Sequence, residues 1–285
     1  YILKLKEKFG KDIKYFEILN EPNYDLYFGV EDARNYSNLV NCISKDVKNI
    51  IVGATSGVEQ TYENHMGSIE FFQTVAPETY KNTNIYSYHP YDIENYNNQY
   101  LALNRLNRSH KEYFNEIGGF IKKFITEYGV SSNTTVKPEG IDENTQAIKL
   151  IEQSVIMNEY DLDLAIQYVF RNTGTDSSSQ GDNYGLLTYD YIPKMSYYAM
   201  KNFFTNTNGA EYIGTVNLAD GLEAHVYDKD GKPKIIAWSD NADNTITIPY
   251  KNFTASDIYG NEIENTDGTL EITTSPVYLD NISDE

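Results

Sequence analysis

The sequence contains very little cysteine and tryptophan. Among its 285 residues there is one cysteine, Cys42, and one tryptophan, Trp238. A single cysteine excludes an internal disulfide framework and any zinc site built on cysteines. Cys42 falls within a helical pattern, so we expect it to be a small buried residue. Trp238 lies in a β-rich segment, where we expect a role in the core instead of a role in ligand binding.

Positive charge is also scarce. The chain has 23 basic and 42 acidic side chains, which gives a formal net charge of −19. This balance argues against nucleic acids and anionic membranes as partners, because both are polyanions. No run approaches the ~18 apolar residues that a membrane-spanning helix needs. His65, His110 and His225 are scattered without the spacing of metal ligands, so we expect neither a metal nor a cofactor.

Apolar strand-like segments recur along the first part of the chain. They start near Tyr15, Ile50, Ile85, Lys123 and Ala165. Helical patterns lie between several of these segments, and one of these helical patterns begins with an acidic first turn. Strands that alternate with helices every ~35–40 residues predict βα units around a parallel sheet.

The C-terminal part of the chain has a different pattern. Beyond a last helix that follows Pro193, short β-rich runs alternate with turns such as Asp230-Gly231. About seven short strands of this kind predict a small all-β sandwich. The sequence therefore predicts an α/β protein of two domains. Residues 1–207 would form βα units that make an incomplete barrel of the TIM type, and residues 208–285 a β-sandwich accessory domain.

Three of the predicted strands end in polar, titratable side chains. Asn20-Glu21-Pro22 follows the first, His89-Pro90-Tyr91 the third, and Thr126-Glu127-Tyr128 the fourth. In parallel α/β proteins, ligands bind and chemistry occurs at the carboxyl ends of the strands. Two glutamates placed there are what a retaining glycosidase requires, one as acid and one as nucleophile. Glu17, within the first strand, is expected to face a helix or a neighbouring strand and receives no catalytic role.

These three signatures, in this order and spacing, resemble glycoside hydrolase clan A, and in particular its family 5 and family 39 members. The resemblance implies a (β/α)8 barrel of which this chain has strands four to eight, so that the first three strands are missing. It implies that Glu21 is the general acid/base and Glu127 the nucleophile. It also implies that Asn20 binds the substrate 2-hydroxyl, that Tyr91 holds the nucleophile, and that His89 lines the cleavage subsite.

One position departs from the pattern of the clan. Many members have a tryptophan after strand eight, beneath the sugar, whereas residues 167–172 of this chain contain none. Phe170, or the loop aromatic Tyr184, is expected to take that place. The resemblance also implies a carbohydrate as the partner and an extracellular location, with any secretion signal upstream of Tyr1.

Two functions stay open on the sequence alone. The first is a retaining glycoside hydrolase that cleaves β-glycosidic bonds of a poly- or oligosaccharide by double displacement with Glu21 and Glu127. The second is a non-catalytic carbohydrate-binding or structural remnant of such an enzyme. The remnant is a candidate because five βα units make an incomplete barrel, whose sheet would keep two open edges.

Overall fold

The computed structural model divides into two compact units. The first comprises residues 1–128 and 160–167, and the second residues 129–159 and 168–285. Within them the structure describes residues 1–24, 30–56, 66–91, 122–135, 141–159, 162–218, 222–239, 244–247, 252–265 and 269–283. His65 and His110 therefore lie outside the described residues.

The first unit is built on a parallel sheet. Its strands are β1 (Phe16–Glu17), β2 (Ile50–Ser56), β3 (Ile85–His89), β4 (Lys122–Tyr128) and β5 (Leu164–Gln167). They are hydrogen-bonded in the order β1-β2-β3-β4-β5, and each neighbouring pair is parallel. This arrangement is a partial TIM barrel, and it confirms the five strands that the sequence predicts.

Aromatic side chains connect two of the helices of the first unit with each other and with this sheet. The helices are α1 (Ile2–Phe9), α2 (Val30–Ile43) and α3 (Ser68–Thr79). Tyr36 of α2 contacts Phe71 of α3 with ring centroids 5.3 Å apart, and Phe72 lies edge-on to Tyr86 of β3. Burial of one such ring contributes about 1.5–3 kcal/mol.

Cys42 lies on the solvent side of α2, so the expectation of a buried cysteine is wrong. The helix instead buries Ala33, Tyr36 and Val40. At 3.6 residues per turn, position 42 lies roughly 200° around the helix from Val40, on the face away from the core. Helical spacing predicted the helix correctly, but the rotation of the helix about its axis directs the Cys42 thiol to the solvent.

The second unit combines two helices with two antiparallel sheets. The helices are α4 (Glu143–Glu159) and α5 (Met195–Thr207). The strands are β6 (Glu211–Thr215), β7 (Leu222–Lys229), β8 (Lys232–Ser239), β9 (Asn244–Thr247), β10 (Asn252–Ser256), β11 (Glu262–Ile263), β12 (Thr269–Ile272) and β13 (Val277–Ser283). Six of them form one sheet, in the order β11-β10-β13-β8-β7-β6, and β12 pairs with β9.

The two antiparallel sheets enclose an apolar core and so form a β-sandwich. Ala224, Ala237, Leu279 and Ile272 are among its fully buried members. Trp238 is also buried and stacks on the ring of His225 at 4.9 Å, as expected for a core residue. Across the described ranges, none of the helices combines the length and apolar composition that crossing a bilayer requires.

Candidate active site

The carboxyl ends of β1, β3 and β4 bring two glutamates against one histidine. His89 Nδ1 lies 3.2 Å from Glu21 Oε1 and 3.8 Å from Glu127 Oε2. The two carboxylate oxygens are therefore no more than 7.0 Å apart, the sum of the 3.2 Å and 3.8 Å distances. His89 is fully buried, whereas the glutamate side chains are 25% and 27% exposed. A ligand can thus reach both carboxylates but not the imidazole behind them.

Tyr91 fixes the position of Glu127. Its hydroxyl donates a 2.8 Å hydrogen bond to Glu127 Oε2. Its backbone N–H donates to the carbonyl of His89, so the chain turns tightly around Pro90 and brings the phenol back over the strand end. A phenol that donates to a carboxylate orients the acceptor oxygen and stabilises negative charge on it.

Glu21 lies on a backbone in the left-handed region. Its φ is 45°, and that of Leu19 is 63°. This conformation costs a non-glycine residue roughly 1–2 kcal/mol, so surrounding contacts have to maintain it. One is the Glu21 N–H, which donates to the Ala54 carbonyl at 2.8 Å. Another is the buried Tyr36 hydroxyl, which donates to the Ile18 carbonyl at 3.0 Å.

Asn23 secures the segment that follows Glu21. Its side chain is buried, its Nδ2 donates to the Met66 carbonyl, and its Oδ1 accepts from the Ser56 N–H, both at 2.9 Å. Its carbonyl also accepts from the Met66 N–H. The turn after β1 is thus tied to the end of β2. Nothing in the sequence pattern singled out Asn23, beyond its place directly after Pro22.

Glu17 contacts β3 and β4, which do not pair with β1, whereas the sequence predicted a contact with a helix or a neighbouring strand. Its Oε1 accepts from Ser87 Oγ of β3 at 2.6 Å and from Thr126 Oγ1 of β4 at 2.8 Å. Ser87 Oγ in turn accepts from the Ala54 N–H. The two hydroxyl partners were not predicted, because the register between strands brings them together and local patterns do not display it.

This network determines which nitrogen of His89 carries a proton. The single hydroxyl proton of Thr126 is donated to Glu17, so the Thr126 oxygen accepts from His89 Nε2, 3.0 Å away. His89 Nδ1 then faces Glu21 in one of two states. Either a neutral imidazole accepts from a protonated Glu21, or an imidazolium donates to the carboxylate. In both states one proton lies between His89 and Glu21.

The other predicted binding residues are placed as follows. Asn20 is exposed beside Glu21. Phe170 and Tyr184 belong to the second unit, where Phe170 is exposed and the Tyr184 hydroxyl accepts from Gln180. The Tyr184 ring packs edge-on against Tyr168, the first residue after β5. Among the described residues, no group of three or more His, Cys, Asp or Glu side chains is arranged to hold a metal ion.

Solved structures share the architecture of this chain. A family 39 glycoside hydrolase from the gut symbiont Bacteroides cellulosilyticus WH2 aligns over 98% of this chain, with a TM-score of 0.74 and 20% identity. The fold is that of the clan A glycoside hydrolases. The chain spans 60% of the length of that family 39 protein. The resemblance noted in the sequence is thereby confirmed at the level of the fold.

Two further structures have the same fold. A family 30 endoxylanase from Clostridium papyrosolvens C71 aligns over 97% of this chain and 67% of its own, with a TM-score of 0.58 and 12% identity. A family 86 β-porphyranase from the human gut bacterium Bacteroides plebeius aligns over 93% of this chain and 56% of its own, with a TM-score of 0.63 and 13% identity. No protein-family model and no curated protein matches the chain.

Proposed function

We propose that this chain carries the catalytic pair of a retaining glycoside hydrolase that cleaves β-glycosidic bonds of a poly- or oligosaccharide. The observation that carries the proposal is the contact of one buried histidine nitrogen with both Glu21 and Glu127. It limits the separation of the two nearest oxygens to 7.0 Å, the sum of 3.2 Å and 3.8 Å. That limit includes the ~5–5.5 Å of retaining enzymes and lies below most of the ~6.5–9.5 Å range of inverting enzymes.

The reaction runs as a double displacement. Glu21 donates its proton to the leaving glycosidic oxygen while a Glu127 oxygen attacks the anomeric carbon, and the bond to the leaving group breaks. Glu21 then takes a proton from water, the water oxygen attacks the anomeric carbon, and the Glu127 carboxylate is released. Neither step changes an oxidation state, so no oxidant or reductant is needed.

The surrounding side chains support each step. The proton between His89 and Glu21 lies where a general acid needs it, and Tyr91 keeps the attacking oxygen of Glu127 in place. Asn20 is proposed to bind the 2-hydroxyl, and Phe170 or Tyr184 to lie beneath the sugar. A polysaccharide as substrate places the activity outside the cell.

A second candidate is a non-catalytic, carbohydrate-binding remnant. It is favoured by the parallel sheet of the described residues, in which β1 and β5 are edge strands. A closed barrel has no edges. In this case the glutamates bind a sugar without hydrolysing it.

Hydrolysis of a panel of aryl β-glycosides tests both candidates. It is measured for this chain and for a version in which three βα units precede Tyr1. Glu127→Ala is expected to lower kcat by about 10⁴-fold or more. Glu21→Ala is expected to retain hydrolysis of substrates with activated leaving groups. Its activity should also recover when azide is added, because azide attacks without the help of a general base. Glu31→Ala, an exposed glutamate of α2, is the matched control.

Activity that is indifferent to both catalytic substitutions would remove the proposed mechanism. Sugar binding without turnover in both versions of the chain would favour the remnant. Loss of activity in Glu21→Ala on every substrate, without azide rescue, would argue against the assignment of Glu21 as the acid/base.

A further inference from the structure

An arginine of the second unit is held between two tyrosine rings. The guanidinium carbon of Arg171 lies 4.7 Å from the ring centroid of Tyr189 and 4.6 Å from that of Tyr191. The rings are 42% and 66% exposed, respectively. Both distances lie within the range of a cation–π contact, and such contacts leave the N–H groups of the guanidinium for other partners.

The stacked arrangement rests on a hydrogen-bonded hairpin. Leu187 bridges to Arg171 on one side and to Pro193 on the other. At the tip, the Thr188 N–H donates to the Ile192 carbonyl at 2.8 Å, and the Tyr191 N–H donates to the Thr188 carbonyl at 3.1 Å. The two rings are therefore positioned before any ligand arrives, which lowers the entropic cost of binding.

Tyr191 occupies its place at a cost. Its φ of 65° is in the left-handed region, which glycine or asparagine adopts more readily. The side chain is also largely exposed, so burial does not offset this cost. A bulky aromatic residue with a strained backbone and an exposed ring indicates a binding role instead of a packing role.

The Arg171 guanidinium has no carboxylate partner within the part of the chain that the structure describes. Asp190, which lies at the hairpin tip between the two tyrosines, forms no ion pair with it. Acidic residues outnumber basic ones 42 to 23, so carboxylates are plentiful in this chain. The fork of N–H donors at the guanidinium edge is thus left for an external anion.

We propose that Arg171, Tyr189 and Tyr191 form a binding site for an acidic sugar residue, one that bears a carboxylate or a sulfate ester. The guanidinium fork pairs in a bidentate manner with either group, and the exposed rings offer apolar surface to the sugar. The net charge of −19 disfavours dense polyanions, so the site suits an isolated acidic group at short range. The choice of a sugar rests on the proposed function.

Calorimetric titration with matched oligosaccharides tests this site. Short oligouronates are compared with the same oligosaccharides after reduction of their carboxyl groups, and sulfated oligosaccharides with their desulfated forms. Since a charged hydrogen-bonded pair is lost in the neutral sugars, the better acidic ligand should bind at least about tenfold more tightly than its neutral match. The pair with the larger difference identifies the anion.

Two variants locate the effect. Arg171→Gln is expected to remove the preference for the acidic sugar, and Arg171→Lys to retain only part of it, because lysine lacks the planar fork. Lys81→Gln is the matched control. It removes one positive charge from another cation–ring pair, in which Lys81 Nζ lies 5.7 Å from the Tyr80 centroid, and it should leave binding unchanged.

Several results would overturn the proposal. They are equal binding of acidic and neutral sugars, a preference that survives Arg171→Gln, and equally tight binding of a poly-glutamate peptide. If Arg171 only stabilised the hairpin, Arg171→Gln would lower the melting temperature and would weaken the binding of acidic and neutral sugars equally. Binding is measured in the Glu127→Gln background, so the two proposals fail separately. Acidic sugars bound without hydrolysis by the parent chain contradict only the proposed function, whereas hydrolysis of neutral glycosides without acidic preference contradicts only this site.

Discussion

The two glutamates of the candidate active site are held in different ways. Glu127 lies within β4, one residue before the strand ends, and a tyrosine hydroxyl holds its side chain. Glu21 lies beyond the end of β1 on a left-handed backbone, and its place depends on the turn that Asn23 ties to β2. Strand geometry thus positions one carboxylate and a loop network the other. The two chemical roles should therefore respond to different substitutions.

Removal of the contact to Glu127 should have the largest effect. Tyr91→Phe deletes the 2.8 Å hydrogen bond to the carboxylate. A hydrogen bond to a charged group is worth about 1.5–3 kcal/mol, so kcat/KM for aryl β-glycosides should fall roughly 10- to 100-fold. Tyr80→Phe, on an exposed tyrosine outside the site, is the control. An unchanged kcat/KM in Tyr91→Phe would show that strand geometry alone holds Glu127.

Disruption of the turn should act on Glu21. Asn23→Ala leaves the buried Ser56 N–H and Met66 carbonyl without their side-chain partner. The free energy of unfolding should fall by about 1–3 kcal/mol in denaturant titration. Asn35→Ala, on the exposed face of α2, should leave it nearly unchanged.

The same variant distinguishes the two steps of catalysis. Asn23→Ala should slow substrates with poor leaving groups, which need the acid, more than activated ones, which do not. Equal slowing of both classes would mean that the turn supports Glu127 as well, and the contrast between the two positions would be lost.

Glu17 tests the proton arrangement. Glu17→Ala removes the acceptor of the Thr126 proton, so Thr126 can donate to His89 Nε2 and the imidazole proton moves to Nδ1. Activity on poor leaving groups should fall roughly tenfold, a part of the 10²–10⁴ that general acid catalysis contributes. Glu17→Gln keeps an acceptor oxygen and should retain activity. If Glu17→Ala and Glu17→Gln lowered this activity equally across the pH–rate profile, the charge of Glu17 would matter and not its hydrogen bonds.

Relief of the left-handed backbone should have the smallest effect. Leu19→Gly removes the cost of a φ of 63° at a side chain that is 46% exposed. After allowance for the greater freedom of glycine in the unfolded chain, the free energy of unfolding should rise by about 0.5–1 kcal/mol. Leu3→Gly, at an exposed position of the helix α1, should lower it by a similar amount. A loss of stability in Leu19→Gly would mean that the leucine side chain, and not its backbone, matters at the strand end.

Local patterns predicted the parallel strands and the placement of Glu21 and Glu127 at strand ends. A strand is visible in its own residues, and a strand-end motif such as Asn20-Glu21-Pro22 is contiguous. The contacts of Glu17 and Asn23 were not predicted, because their partners lie on other strands whose register the sequence does not display. The division of the chain at residues 207 and 208 stays a prediction, as do the assigned roles of the site residues.

Two further positions show what local sequence patterns do not predict. Cys42 was placed on the wrong side of α2, since helical spacing defines a face only when its phase is known. The stacking of Arg171 between Tyr189 and Tyr191 depends on a hairpin that folds back on the segment after β5. Nothing in the spacing of those three residues indicates the contact.

The hydrogen bond between Glu17 and Thr126 also has a consequence for folding kinetics. Their 109-residue separation in the chain makes this contact one of the most distant in sequence. Closing a flexible loop of that length costs about 4 kcal/mol of chain entropy, which the successive pairing of β1 with β2, β2 with β3 and β3 with β4 has to offset. The contact should therefore form late, after the local helices and hairpins. During refolding, ligand binding by the two glutamates should appear with the last phase, so the site itself reports that the sheet is complete.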